Sequence, residues 1–389
     1  MKLKLLLFTL LLVSFLGFGQ RFSLTKNAKV SVLTFGPGTS LNDAFGHNAF
    51  RIKDDSKRID LVYGYGEYDF EAPNFYLKFA RGKLNYMISR HRFTDIFYHY
   101  SKHNRSIEEQ VLNLTFEEKQ QLFDFLEDNY KPENRKYLYD FFYDNCATRI
   151  RDVSDIVTKN KITFELPEGI EQKTFRQLIY EHLNRNSWGS LGIDIALGSV
   201  IDKNATANEY MFLPKYIHSF FSTAKLDTTK NLVKSASTLF EKKSAKNSTN
   251  IFFSPLIIIG LIAIVIIYIT YMNYKSKTRS KWLDILLFGI TGLIGVFLLL
   301  LWFATDHTAT GYNYNLLWAF PLNLVLIYQF KNDKVKNWVK GFLKFLIILL
   351  CLMTLHWLIG VQVFAITLIP LLLALLMRYI FLLNFFSKS

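Results

Sequence analysis

From residue 251 onward the chain is too apolar to fold in water, and this constrains everything else it can become. Apolar runs near 251–272, 282–303, 315–330, 341–360 and 362–386 approach or exceed the ~20 residues that an α-helix needs to cross a bilayer's hydrocarbon. The third run is short and carries Pro321. The pattern predicts a bundle of five transmembrane helices over 251–389. Lys275, Lys277, Arg279 and Lys281 separate the first two runs, and Lys331, Lys334, Lys336 and Lys340 separate the third and fourth. The loops at 304–314 and 358–362 hold no lysine or arginine. Positive loops remain cytoplasmic, so the uncharged loops, and residues 20–250 with them, face the exported side.

The rest of the chain agrees with that orientation. Lys2 and Lys4 precede an apolar stretch from Leu5 to Phe18, and Gly17 and Gly19 supply small residues before Gln20. This is the pattern of a signal peptide over 1–19. The net charge of +14 does not point to nucleic acid. Residues 251–389 hold 11 Lys+Arg against 3 Asp+Glu, whereas residues 20–250 hold 33 against 29. The excess sits in loops that orient membrane helices rather than on a nucleic-acid-binding face.

Residues 20–223 read as an α+β domain. The runs 30–35, 49–53 and 59–65 are β-branched and apolar, the first ending at Gly36, Pro37 and Gly38, the other two forming a hairpin around 54–58. Helices follow: Thr115 and Glu118 form a capping-box pattern before a stretch ending at Tyr130, a second helix begins near Asn145 and Cys146, and a third begins at Thr174. Residues 224–250, rich in Lys, Ser, Thr and Asn, read as a linker to the membrane.

Only two cysteines occur. Cys351 falls within a membrane run, where a small apolar side chain is the plain reading. Cys146 has no second exported cysteine to pair with, and an unpaired thiol in an oxidising compartment is either buried and inert or kept for its reactivity. Its place at a helix start favours reactivity, because backbone N–H groups there lower a thiol's pKa and stabilise an oxyanion. A thiolate nucleophile needs a base within hydrogen-bond reach. Of the six exported histidines, His91, His99, His103, His182 and His218 lie in polar surface-like segments, whereas His47 follows Gly46 directly onto a strand. A structural histidine on a hairpin is the competing reading. No HxxxH or HExxH spacing is present, and one cysteine cannot build a structural zinc site, so neither a metal nor a cofactor is expected.

A histidine on a strand followed by a cysteine at a helix start resembles the circularly permuted papain-like superfamily, which includes NlpC-type amidases and lecithin:retinol acyltransferases. Longer stretches resemble the Lnb family of lipoprotein N-acyltransferases: Gly36 to Gly38 with Phe45, Gly46 and His47; 69–75; Asp144 to Arg149; Leu191 to Asp194 with Leu197, Gly198 and Asp202; Phe212 to Pro214; and, in the membrane part, Asp306, His307, 313–318 and Pro321. The resemblance implies Cys146 as nucleophile and His47 as base. It also implies a phospholipid acyl donor, a lipid-modified lipoprotein acceptor, and a multi-pass inner-membrane protein with its catalytic domain in the periplasm. Where the family pattern has an Asn before Tyr-Gly, this chain has the run 63–66, Tyr-Gly-Tyr-Gly; Tyr63 or Asp60 is then the expected partner of the histidine, with Asn145 as a further supporting residue. Arg149 and Arg151 are candidates for a phosphate. His307, Asn313, Asn315 and His356 form either an interfacial belt or a substrate site. The rival readings are a membrane-anchored NlpC-type cysteine amidase acting on cell-wall peptides and a non-catalytic binding protein. The loop charges make one prediction: in intact spheroplasts a cysteine at 277 resists an impermeant thiol reagent and one at 309 reacts, and the reverse pattern inverts the bundle.

Overall fold

The computed structural model describes residues 22–388 apart from 168, 170, 228 and 245–250; the signal peptide expected at 1–19 lies outside the described residues. A seven-stranded antiparallel sheet forms the centre of the extramembrane part. Its strands are β1 (Lys29–Phe35), β2 (His47–Asp54), β3 (Ile59–Tyr68), β4 (Asn85–Arg92), β5 (Ile107–Leu112), β6 (Lys136–Leu138) and β7 (Val233–Phe240), in the order β7-β5-β1-β2-β3-β4-β6. β1 is buried from Val30 to Phe35 because it is covered on both faces. Val30, Val32, Phe50, Ile52, Tyr63 and Tyr65 face a large core. Leu33, Phe35, Ala49, Val62 and Ile107 face a smaller one.

The helices are arranged accordingly. α1 (Phe75–Ala80) and α2 (Phe93–Lys102) flank β4, and α2 closes the smaller core with Phe93, Phe97 and Tyr100. α3 (Phe116–Tyr130) opens with the expected capping box of Thr115 and Glu118. α4 (Cys146–Val157) lies against β2, followed by α5 (Phe175–Tyr180), α6 (Trp188–Ala196) and α7 (Pro214–Thr223). Helices are interspersed with the strands, but every pairing in the sheet is antiparallel, so the fold class is α+β. One expectation needs correcting. The described part of 224–250 is not a plain linker, because Lys225–Leu226 and Lys230–Asn231 join a small second sheet and β7 pairs along β5. The polar composition of β7 reflects an edge strand with one open side, where charge and hydroxyls are tolerated.

The membrane part contains α8 (Pro255–Ser276), α9 (Lys281–Phe303), α10 (Asn323–Phe330), α11 (Trp338–Leu358) and α12 (Ile369–Lys388). Four helices among the described residues are long and apolar enough to cross a bilayer, not the five expected. The third run is a 3-10 turn at Tyr314–Leu317 followed, beyond Pro321, by the eight-residue α10. It still joins the two ends of the bundle. Its start contacts the extramembrane domain, and its end meets the basic loop after α8, where Arg279 donates to the carbonyls of Phe330 (3.1 Å) and Asn332 (2.7 Å). Irregular backbone at this depth is tolerated only when packed against protein. Gly295 of α9 supplies the room: a Cβ there would meet the Ala319 carbonyl and, at 2.7 Å, the Pro321 nitrogen. Asn323 donates to Thr291 across the same contact (2.9 Å). Near that basic loop Arg378, wholly buried, pairs with Asp284 (2.7 Å), which also holds Arg279 (3.2 Å).

A polar clasp joins the two parts. Gly198 and Ser199 donate backbone N–H groups to the carbonyls of Ala309 (2.9 Å) and Tyr312 (3.1 Å). A Cβ on Gly198 would fall on the Gly311 carbonyl. Behind this segment Arg176, wholly buried, binds Asp194 (3.0 Å), Asp202 (2.8 Å) and the carbonyls of Leu197 and Gly198. Ala309 is only 8 % exposed, so an exported labelling site is better placed at Ile359, which is 63 % exposed. Removing the guanidinium strands two buried carboxylates, which costs about 3–5 kcal/mol. Arg176→Met is therefore expected to lower the thermal midpoint sharply. Gly198→Ala should expose the 304–314 loop to protease with a smaller loss of stability, and a loop equally protected in both variants would contradict the clasp.

Candidate active site

α4 begins at Cys146 because Asn145 caps it. The Asn145 Oδ1 accepts from the N–H groups of Ala147 (2.7 Å) and Thr148 (2.9 Å), while its Nδ2 donates to the carbonyls of Phe141 (2.6 Å) and Phe212 (2.8 Å). An amide is needed, since it both accepts and donates. The supporting role expected of Asn145 is therefore positional: it fixes the residue that carries the thiol. Ahead of it Asp140 and Asp144 exchange backbone hydrogen bonds, both 3.0 Å, closing the loop that leads into the helix.

His47 is the first residue of β2, opposite Phe35. Gly46 precedes it with φ +83°, and a Cβ there would lie 2.7 Å from the Phe35 carbonyl, so this turn requires glycine. The ring stacks beside Phe35 and lies over Gly64, where a Cβ would be 3.2 Å from Nε2. The thiol comes to the same end of β2. Its sulfur faces the N–H of Asn48, the residue after His47, together with those of Cys146 and Ala147. Its charge is felt by Tyr100, beside Phe35, and by Tyr137 and Tyr139 of the β6 segment. Among the described residues no hydrogen bond joins the thiol directly to the imidazole.

The electrostatics differ from the expectation of a lowered thiol pKa. The three N–H groups do favour the thiolate, but burial outweighs them and pushes the Cys146 thiol up to about 11. Burial, reinforced by the Arg105 cation, lowers His47 to about 4, with Glu67 opposing. Desolvation disfavours both charged forms, so at neutral pH a neutral thiol and a neutral imidazole occupy the same end of β2. Both groups are half-buried in accessible surface, which leaves the site open to a reactant.

Arg105 and Asn48 were not singled out from the sequence. Arg105 lies over Tyr100 (4.6 Å) and donates to the Gly36 carbonyl (2.8 Å), with its Nη2 buried and unpartnered among the described residues. Asn48 donates to Thr34 (2.9 Å) and keeps a buried, unpartnered Oδ1. No local pattern marks Arg105; Asn48 was legible only as the neighbour of His47.

Several expected roles fall to other partners. Tyr63 points into the large core and donates to Glu127, and Asp60 holds Arg51 (2.7 Å) toward the opposite end of β2. Neither orients His47. Arg149 is engaged by Asp144 and lies over Tyr137. Arg151 binds Asp152 and lines a cavity of about 490 Å³ with Asp155 and Glu209, where three carboxylates disfavour a phosphate. His307, Asn313, Asn315 and His356 do not form one cluster. His307 lies at the Ala80 carbonyl (3.2 Å). Asn313 and Asn315 cap the end of α6, donating to the carbonyls of Ile195 (2.8 Å) and Asp194 (2.9 Å). His356 packs edge-on to Tyr314 (4.5 Å). No group of three or more His, Cys, Asp or Glu side chains among the described residues is placed to hold a metal ion.

The arrangement defines a membrane-anchored protein whose extramembrane α+β domain presents a cysteine at a helix start and a histidine at a strand start. The Lnb N-terminal periplasmic domain matches residues 18–181 and the Lnb transmembrane domain matches residues 246–389. The chain belongs to the Lnb family. No curated protein and no solved structure matches it.

The pKa directions give a prediction. His47's value lies below its ordinary 6.5, so its neutral, base-competent form persists as pH falls until about 4, and the stability linked to that neutrality, full above 6.5, is lost through the same range. With Cys351 replaced by serine, alkylation of Cys146 by neutral iodoacetamide should rise about tenfold per pH unit toward its value near 11. A plateau already at pH 8, or turnover falling through pH 6.5, would show a preformed ion pair instead.

Proposed function

We propose that this protein is an inner-membrane lipoprotein N-acyltransferase that carries a fatty acyl chain on Cys146. Family membership supports the reading. The observation that carries it is the hydrogen bond from Thr308 to Asp140 (2.6 Å), which ties the loop leading into Cys146 to the loop between two membrane helices. The thiol is thereby held at the level where two lipid-anchored substrates meet, and such proximity converts a collision of lipids into a local reaction.

In the first step His47 takes the thiol proton as the sulfur attacks an ester carbonyl of a phospholipid. The S–C bond forms, the ester C–O bond breaks, and the proton passes to the departing lysophospholipid alkoxide. The N–H groups of Asn48, Cys146 and Ala147 surround the sulfur and favour the developing negative charge, with Arg105 adding a fixed cation. In the second step the α-amine of a lipoprotein's diacylglyceryl-cysteine attacks the thioester. The N–C bond forms, the C–S bond breaks, and the amine's proton returns through His47 to the thiolate.

The test combines purified protein, phospholipid and a synthetic diacylated lipopeptide. One fatty-acyl mass should appear on the peptide's α-amine with an equal amount of lysophospholipid. Cys146→Ser is expected to reduce transfer at least a thousandfold, because a serine hydroxyl is a far weaker nucleophile under the same base. His47→Ala should lower turnover by 10²–10⁴-fold, the range for a general base. Cleavage of cell-wall peptides in place of lipopeptide acylation would move the protein to the amidase reading.

A further inference from the structure

The segment at 69–80 leaves its apolar side chains in the open. α1 buries none of its residues and carries only Lys78 as a charge. Tyr76 is 83 % exposed and Phe70 69 %, with Leu77 and Phe79 also more than half exposed. Contiguous apolar surface of this kind marks an interaction site.

Its position says what covers it. The Arg81 carbonyl accepts from the N–H of Asp306 (2.9 Å), the Ala80 carbonyl lies 3.2 Å from His307 Nε2, and Lys83 pairs with Asp306 (3.5 Å). Asp306 is three residues beyond Phe303, the last residue of α9, and three residues span at most about 10 Å. The apolar face of α1 is thus continuous with the lipid-facing surface of the bundle. A short helix of aromatic residues with a lysine is a composition that settles at a bilayer interface.

A chain of ring contacts runs inward from this lip. Phe75 meets Tyr68 at 5.8 Å, Tyr68 meets Tyr86 at 5.1 Å, and Tyr86 stacks on Tyr139 at 4.3 Å. Tyr139 in turn lies 3.7 Å from the Cβ position of Gly66, within the electrostatic reach of Cys146. We infer that α1 and Phe70 insert into the outer leaflet, and that the rings from Phe75 to Tyr139 are the path by which an acyl chain of a membrane glycerophospholipid reaches the thiol. The path rests on the acyl-transfer reading; the insertion does not.

Two measurements separate them. In the full chain with Cys146→Ala and Cys351→Ser, nitroxide labels are placed by Leu77→Cys or, at the far end of the β2–β3 hairpin, by Ser56→Cys, and the protein is reconstituted in phosphatidylethanolamine–phosphatidylglycerol vesicles. The label at 77 should collide with oxygen at least fivefold more than with a nickel chelate, relative to the label at 56. Equal ratios at the two positions overturn insertion, and so does protection of 77 from both reagents, which would mean a protein cover. With Cys146 intact, acylation of the thiol is compared for a long-chain phospholipid and a soluble short-chain ester. The double variant Phe75→Ser and Phe79→Ser should lower the long-to-short ratio at least tenfold, and an unchanged ratio overturns the path. If wild-type Cys146 accepts an acyl group from neither donor, the acyl-transfer reading falls and the path with it, while the label at 77 still decides insertion.

Discussion

One buried guanidinium shapes the segment with which the extramembrane domain clasps the membrane bundle. Arg176 is surrounded by Asp194, Asp202 and the carbonyls of Leu197 and Gly198. Burying such a charge is tolerable only when every donor is met. The residues that meet it are the ones that face the membrane bundle on their other side. The Asp194 carbonyl accepts from Asn315, and Gly198 donates to Ala309. The ion pairs need not add net stability to matter. They hold 194–202 in one shape, and only that shape offers its backbone to the bundle. At the other end of α6, Trp188 donates to the Phe253 carbonyl (2.8 Å), so the helix is fastened to the membrane part at both ends.

The uncharged resting state of the site suits its surroundings. A thiolate–imidazolium pair close to a low-dielectric boundary would need compensation that the site does not supply: among the described residues the carboxylate that favours a charged His47 is Glu67, and its effect loses to burial and Arg105. On the proposed acyl-transfer reading, ionisation is deferred until a carbonyl is present to receive the electron pair. This also protects an unpaired thiol in an oxidising compartment, since the thiolate is the form that reacts with disulfides and oxidants.

Much of this was legible in the sequence where local chemistry decides structure. The β-branched apolar strands at 30–35 and 59–65, the capping box at Thr115, and the helix starts at Cys146 and Thr174 all lie where the residue patterns put them. What escaped was decided by long-range partners. The polar residues of β7 carry no strand signal of their own and are ordered by β5. The family pattern around Tyr-Gly makes Tyr63 a candidate partner for His47, but β-strand alternation sends it to the opposite face. Asn313 and Asn315 read as part of an interfacial belt or a substrate site, yet they satisfy carbonyls more than a hundred residues away. Arg105 reaches the site through the fold alone.

The interruption of the third membrane run follows from the same clasp. A continuous helix over 315–330 would bond its own backbone and could not present Asn313 and Asn315 to the end of α6. The chain instead makes a single 3-10 turn, in which Asn313 Oδ1 accepts from the Asn315 N–H (3.0 Å) and Trp318 Nε1 donates to Asn315 Oδ1 (2.9 Å). Helix resumes only after Pro321, whose ring fits a first turn but not an interior. Eight residues of helix rise about 12 Å, well short of a bilayer's ~30 Å core. The unwound remainder is shielded by α9 at Gly295 and by the extramembrane domain above it. Regular helix was therefore given up where the chain has to bind its own exported domain, and an uninterrupted crossing at that point would leave the carbonyls at the end of α6 without partners at the bilayer surface.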